Sequence, residues 1–153
     1  MTAIISDDRQ YRYFLSRTWG DSGKIITFIG LNPSTADATN DDPTIKRCIN
    51  FAKSWGGSTL LMVNIFAYRS TKPDVLRSVI DPIGELNDMW LAKAVDDSDV
   101  VVAAWGNNGL YKDRSQAVIK MFSGKLQALR ITKLGMPGHP LYVPANTELS
   151  PFP

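Results

Sequence analysis

Four short segments of the chain set polar side chains where a strand would end. In Gly30-Leu31-Asn32-Pro33-Ser34 an amide stands between a glycine and a proline. Glycine lets the backbone approach a ligand closely, and proline stiffens the next step. The same residues also suit a plain turn in which Asn32 caps its own backbone. The glycine spacing and lysine of a phosphate loop are absent. Asn64 breaks the apolar run Leu60-Leu61-Met62-Val63. A buried amide costs about 1–3 kcal/mol unless it is hydrogen-bonded. Asn64 therefore either ties two loops together or offers its donor and acceptor to the edge of a base. His139, the single histidine, sits in Gly135-Met136-Pro137-Gly138-His139-Pro140. Flanking prolines hold its ring in one place, which suits a general acid, an anion stabiliser or a structural imidazole.

Other side chains qualify this picture. Trp105-Gly106-Asn107-Asn108 and Tyr68-Arg69 each offer an aromatic ring near polar or cationic groups. Such rings can stack on a base or fill a core, and Arg69 can meet a phosphate or plain solvent. Asp37, Asp41 and Asp42 form an acidic cluster. Asp42 reads as a helix cap, while Asp37 is either a solvated loop acid or a carboxylate that activates water. With one His, one Cys and no spaced carboxylate pair, no metal site is expected. No cofactor is implied. No nucleophile elbow is present either.

The elements that must position these groups follow from patterning. Tyr11–Trp19, the turn Gly20-Asp21-Ser22-Gly23 and Lys24–Ile29 read as a β-hairpin. Asp42-Pro43 opens a helix whose apolar residues Ile45, Cys48, Ile49, Ala52 and Trp55 recur at helical spacing, and Gly56-Gly57 closes it. Strands are expected over Thr59–Phe66, Asp99–Gly106 and Leu126–Thr132, and helices over Pro73–Ile80, Leu86–Val95 and Arg114–Phe122. From Gly135 onward the chain reads as irregular. Nearly unbroken apolar strands alternating with helices are the mark of a buried parallel sheet. The expected fold is α/β: a three-layer α/β/α sandwich, with a mainly parallel sheet of about four strands and an N-terminal antiparallel edge hairpin. Ligands of such sheets bind beyond the carboxyl ends of the strands. The segments Gly30–Asp37, Asn64–Arg69, Trp105–Asn108 and Lys133–Tyr142 are therefore expected to converge.

Composition narrows the classes. At 153 residues the chain reads as one domain, 1–153, able to bury roughly 70% of its unfolded surface. A hydrophobic share of 44% against 21% charged residues excludes disorder. A net charge of +2 gives no strong nucleic-acid footprint. Cys48 alone cannot form an internal disulfide, which fits a reducing cytoplasm. No apolar run approaches the ~18 residues of a membrane span, and the acidic Asp7-Asp8 does not suit a signal peptide.

Taken together, the four segments resemble the uracil-DNA glycosylase superfamily. Ile29-Gly30-Leu31-Asn32-Pro33-Ser34 resembles the first motif of its mismatch-specific branch. His139-Pro140-Leu141-Tyr142 is similar to the start of the second motif of the uracil-specific branch, and Val100–Gly106 to the Leu-Leu-Trp-Gly strand end of that branch. Leu60-Leu61-Met62-Val63-Asn64 is similar to the strand presenting the base-reading asparagine. Gly30–Asp37, Asp41–Ile45, Trp105-Gly106 and His139–Tyr142 together also look like a bacterial and phage family of unknown function.

The resemblance implies hydrolysis of the N-glycosidic bond of a nucleobase, one that can be modified, in nucleic acid or a free nucleotide. Asn32 would position water, His139 would stabilise charge on the leaving base, and Asp37 would act as base where the uracil-specific branch has Asp at position 32. The implied base-binding set is Gly30, Leu31, Pro33, Ser34, Asn64, Phe66, Tyr68, Arg69, Trp105, Gly106, Pro140 and Leu141. Phe66, Tyr68 or Trp105 would stack on the base, and Leu141 would wedge into a duplex. Two other classes fit the same residues: a non-catalytic nucleobase or nucleotide binder, and an interaction protein on the same scaffold.

Overall fold

The strand Lys24–Gly30 (β3) is buried at every residue from Ile26 onward, and this decides its place in the sheet. A strand covered on both faces needs a partner along both edges as well. The computed structural model describes residues 1–153 and puts β3 near the middle of a seven-stranded mixed sheet. Its other strands are Thr2–Ile5 (β1), Arg12–Thr18 (β2), Gly57–Asn64 (β4), Val100–Ala103 (β5), Leu126–Ala128 (β6) and Ser150–Pro151 (β7). The order across the sheet is β1-β2-β4-β3-β5-β6-β7. β4, β3, β5 and β6 pair parallel, whereas β1, β2 and β7 join antiparallel.

The expected hairpin between Tyr11–Trp19 and Lys24–Ile29 does not form. β4 lies between them, pairing Leu15 with Met62 on one side and Phe28 with Met62 on the other. The Gly20–Gly23 loop crosses the start of β4, where Trp19 donates its indole N–H to Gly57 O (3.0 Å) and Lys24 donates its N–H to Gly56 O (3.2 Å). The antiparallel edge is instead β1 on β2. β6 also stops at Ala128, short of the expected Thr132, and Ile131 forms only an isolated bridge with Pro137.

The helix Pro43–Ser54 (α1) begins as its residue types require. The Asp42 carboxylate accepts the Ile45 N–H at 2.8 Å, and Pro43 fills a position whose N–H would be unpaired anyway. Past its end, Gly56 takes a φ of +80°, a backbone state few other residues adopt cheaply. Helices Asn87–Asp96 (α2) and Arg114–Met121 (α3) follow, while Pro73–Ser78 is a 3-10 segment rather than an α-helix.

Period-two alternation then sorts the core. Ile26, Phe28, Leu60, Met62 and Val102 pack with Ile45, Cys48, Phe51 and Ala52 of α1. Ile29, Leu61, Val63, Val101 and Ala103 pack with Leu91, Ala94 and Val95 of α2 and Val118 of α3. The stacked rings of Phe28 and Trp55 (5.9 Å) and of Phe51 and Trp55 (5.4 Å) bind α1 to the sheet. Because Phe28 is fully buried there, Phe28→Ala is expected to cost about 3–5 kcal/mol in guanidinium unfolding followed by circular dichroism. A loss below about 1 kcal/mol would contradict this packing.

Candidate functional site

Gly30 and Asn64 sit opposite each other in the parallel pair β3/β4, one at the end of each strand. Both share the face of Met62 and Phe28, the face that α1 covers lower down. A methyl group on Gly30 would lie 2.6 Å from Asn64 Oδ1 and 2.8 Å from Met62 Cε. The glycine thus makes room for the Asn64 amide. Asn64 is 2% exposed, and its amide nitrogen is buried without a hydrogen-bond partner. An orphaned donor of this kind costs about 1–3 kcal/mol, which a ligand acceptor would offset.

Beyond the strand ends the two chains stay zipped. Gly30 O, Leu31 O and Pro33 O accept from the N–H groups of Ile65, Phe66 and Ser70. The Asn32 amide nitrogen fastens this loop pair, donating towards Ser70 O (3.0 Å), Pro33 O (3.2 Å) and Tyr68 O (3.4 Å). Those carbonyls fix which way the amide faces, and Asn32 Oδ1 accepts no hydrogen bond from the protein. Capping of local backbone and an available acceptor therefore coexist in one side chain.

His139 is brought over the strand ends by a pinned segment. Gly138 donates its N–H to Arg130 O (2.7 Å), Gly106 donates to Pro137 O (2.7 Å), and Arg47 of α1 donates to Pro140 O (3.3 Å) and Val143 O. His139 Nδ1 accepts the Leu141 N–H at 3.2 Å. Burial lowers the imidazole pKa below its ordinary 6.5, opposed by the negative charge of Asp42. At neutral pH the ring is thus uncharged, with its proton on Nε2 as a donor.

These groups line one cleft of about 590 Å³, with Gly30–Ser34, Asn64, Trp105–Asn108 and Gly138–Val143 on its walls. All four expected segments contribute to it, the second through Asn64 alone, with Ser70 and Thr71 just beyond that segment also on the wall. Several expected residues do not face it. Asp37 uses its carboxylate to accept from the Thr39 and Asn40 backbone N–H groups, which pulls its pKa down to about 2. It closes its own loop and is not among the residues lining the cleft. Phe66 is fully buried and packs on Tyr111, because its ring points to the α2 side. Tyr68 packs edge-on against Tyr11, and Arg69 donates to Ser34 O (3.3 Å), bracing the loop from behind. Trp105 is only 1% exposed, with its indole N–H given to Ser115 Oγ (3.0 Å) and Gly109 against its ring. It lines the cleft without offering a face for stacking.

Asp42, Tyr142 and Arg12 are among the cleft residues that a reading of the sequence does not assign to the site. Asp42, taken as a cap, also borders the cleft, and its Oδ2 accepts no protein hydrogen bond. Tyr142 is 76% exposed at the mouth, its ring 5.4 Å from that of His139. Arg12 lines the cleft from β2, although nothing in Tyr11-Arg12-Tyr13 distinguishes it from a surface cation. Cys48 is core on α1, and burial pushes its thiol pKa up. No group of three or more His, Cys, Asp or Glu side chains is placed to hold a metal ion. No helix is long and apolar enough to cross a membrane.

The fold and cleft together define an α/β domain with a polar, histidine-bearing cleft at its parallel strand ends. The chain belongs to DUF1643, a family of proteins of unknown function, whose model matches residues 12–141. No curated protein and no solved structure matches it.

Because His139 is the single histidine, its titration can be read without ambiguity. Its ring resonances are expected to titrate with a midpoint below 6.5. The sign for stability follows: the unfolded chain takes up this proton first on acidification. His139 then contributes stability fully present above the unfolded pKa and lost as pH falls through the folded value. His139→Gln is expected to flatten the decline of Tm below pH 6.5, and an unchanged decline would contradict the buried neutral ring.

Proposed function

We propose that the cleft binds a nucleobase and hydrolyses its N-glycosidic bond, on a three-layer α/β/α scaffold resembling the uracil-DNA glycosylase superfamily. One observation carries the reading: Asn32, Asn64 and His139, from three separate loops or strand ends, meet in one cleft with ligand-ready atoms left over. The unpartnered Asn64 donor would meet a carbonyl of the base. His139 Nε2–H would donate to a base oxygen as the bond from C1′ to the base nitrogen breaks and its electron pair moves onto the base. A neutral donor suits this step, since it stabilises developing charge without yielding its proton. Water held on Asn32 Oδ1 would attack C1′, and its proton would pass to Asp42, the carboxylate that borders the cleft. Tyr142 takes the stacking role in place of Phe66, Tyr68 and Trp105. The lone buried thiol suits a reducing cytoplasm.

A second reading is a nucleobase binder without turnover. Its support is the Asn32 amide nitrogen, which fastens two loops whether or not water is activated.

Base release from nucleosides, nucleotides and oligonucleotides, followed by chromatography, separates the two. On the enzymatic reading, Asn32→Ala and His139→Ala each lower turnover by about 10²–10³ while base-dependent binding persists. Asp42→Asn is expected to lower turnover as well, with Asp37→Asn close to wild type. Ligand-dependent stabilisation without any base release would leave only the binder, and undiminished release in Asn32→Ala would remove the water-positioning role.

A further inference from the structure

We propose that Arg12 forms an anion subsite in the cleft, so that the ligand is a phosphorylated nucleoside rather than a free base or nucleoside. The nucleobase part of this statement rests on the proposed function; the anion subsite stands on its own observations. The fold buries three arginines. Arg17 is paired with Asp41 at 2.8 Å and Arg114 with Asp88 at 2.5 Å. Arg12 has no carboxylate within 4.0 Å, and the one hydrogen bond of its side chain runs from Nη1 to Ala36 O at 3.0 Å. It is 2% exposed, and its Nε–H has no partner at all. Of the three, only Arg12 lines the cleft.

A guanidinium withdrawn from water without a carboxylate in contact is costly: burial lowers its pKa to about 10 against the opposing charge of Asp42, and it stays protonated at neutral pH. Asp42 is the one carboxylate in the cleft wall, and its Oδ1 is taken by the Ile45 N–H rather than by Arg12. The charged residues of the wall are Arg12, Arg130 and Asp42, a net charge of +1 with His139 neutral. Ser34 and Thr44 add hydroxyls to the same wall, and neither side chain bonds to a protein group. A planar fork held at one nitrogen with its Nε edge free, beside unclaimed hydroxyls, matches a phosphate oxygen set better than a neutral group. Arg12 stands at the β2 side of the strand ends and Arg130 at the β6 side, four strand spacings or roughly 19 Å apart. Asn64, at the end of β4, stands one strand spacing, roughly 5 Å, from the β2 side where Arg12 lies, so a ring at Asn64 and a charged group at Arg12 would be neighbours.

The test is isothermal titration of the full chain with inorganic phosphate, with adenosine, guanosine, cytidine, uridine and thymidine, and with their 5′-monophosphates. A single-stranded oligonucleotide with a 5′-hydroxyl supplies internal phosphodiesters only. A monophosphate is expected to bind about 10- to 100-fold more tightly than its nucleoside. Arg12→Met should bring the monophosphate to the level of the nucleoside, and Arg12→Lys should keep part of the difference. The oligonucleotide binding more tightly than any monophosphate would identify the phosphate as that of a polymer, and the reverse order as that of a free nucleotide. Equal binding of nucleoside and monophosphate by the wild type would overturn the subsite and leave the nucleobase reading intact. Phosphate binding lost in Arg12→Met, without any nucleoside binding, would keep the subsite and overturn the nucleobase reading. No binding of any probe would overturn both. Should Arg12→Met fail to fold, the wild-type comparison and Arg12→Lys decide the matter.

Discussion

The cleft depends on one juxtaposition: a buried asparagine amide lying over a glycine at the ends of two parallel strands. Asn64 can occupy that place only because Gly30, directly across the ladder, has no side chain. The chain leaving β4 is then held from the opposite face. Asn87 of α2 donates to Asn64 O (2.8 Å) and Ile65 O (3.2 Å), and Arg114 of α3 donates to Ile65 O (2.7 Å). The backbone of the turn is thus satisfied from the α2 side, while the Asn64 side chain faces the α1 side with a donor unspent. Asn87 Oδ1 and Trp90 Nε1 are likewise buried without a partner, yet neither lines the cleft, whereas Asn64 does.

The same economy marks the other cleft residues. Asn32 spends its amide nitrogen on loop carbonyls and retains its oxygen. Asp42 spends one carboxylate oxygen on the start of α1. His139 spends Nδ1 on Leu141 N–H, and burial keeps the ring neutral so that Nε2 carries a proton. Each side chain is oriented by one half and leaves the other half without a protein partner. Fixed orientation before a ligand arrives lowers the cost of ordering it and aims dipoles where charge would develop. Arg47 extends this from the outside, since its bonds to Pro140 O and Val143 O tie the histidine segment to α1.

The family match over residues 12–141 spans Arg12, Asn32, Asn64 and His139 alike. Every residue lining the cleft except Tyr142 and Val143 lies within the matched region. Function in such a fold lives in the site and not in the scaffold, and the unpartnered atoms of the cleft residues are what a ligand would meet.

Local pattern alone determined much of this protein. Asp42-Pro43 and Gly56-Gly57 bound α1 because cap and terminator chemistry act within a few residues. Apolar runs at β3, β4 and β5 marked strands buried on both faces; the carboxyl ends of β3 and β4 located Asn32 and Asn64, and the segment beyond β6 located His139. Tertiary structure alone decided the rest. The insertion of β4 between β2 and β3 replaced the adjacent hairpin, because pairing partners are chosen by burial across the whole sheet. Phe66 and Trp105 look in the sequence like cleft aromatics, yet each turns into the core, whereas Tyr142 stays out. Asp42 reads in the sequence as a helix cap and Asp37 as the freer loop acid, but only Asp42 reaches the cleft. Arg12 carries no local signal at all. Its significance comes from having no carboxylate beside it, and which charges become neighbours is fixed only when distant segments pack.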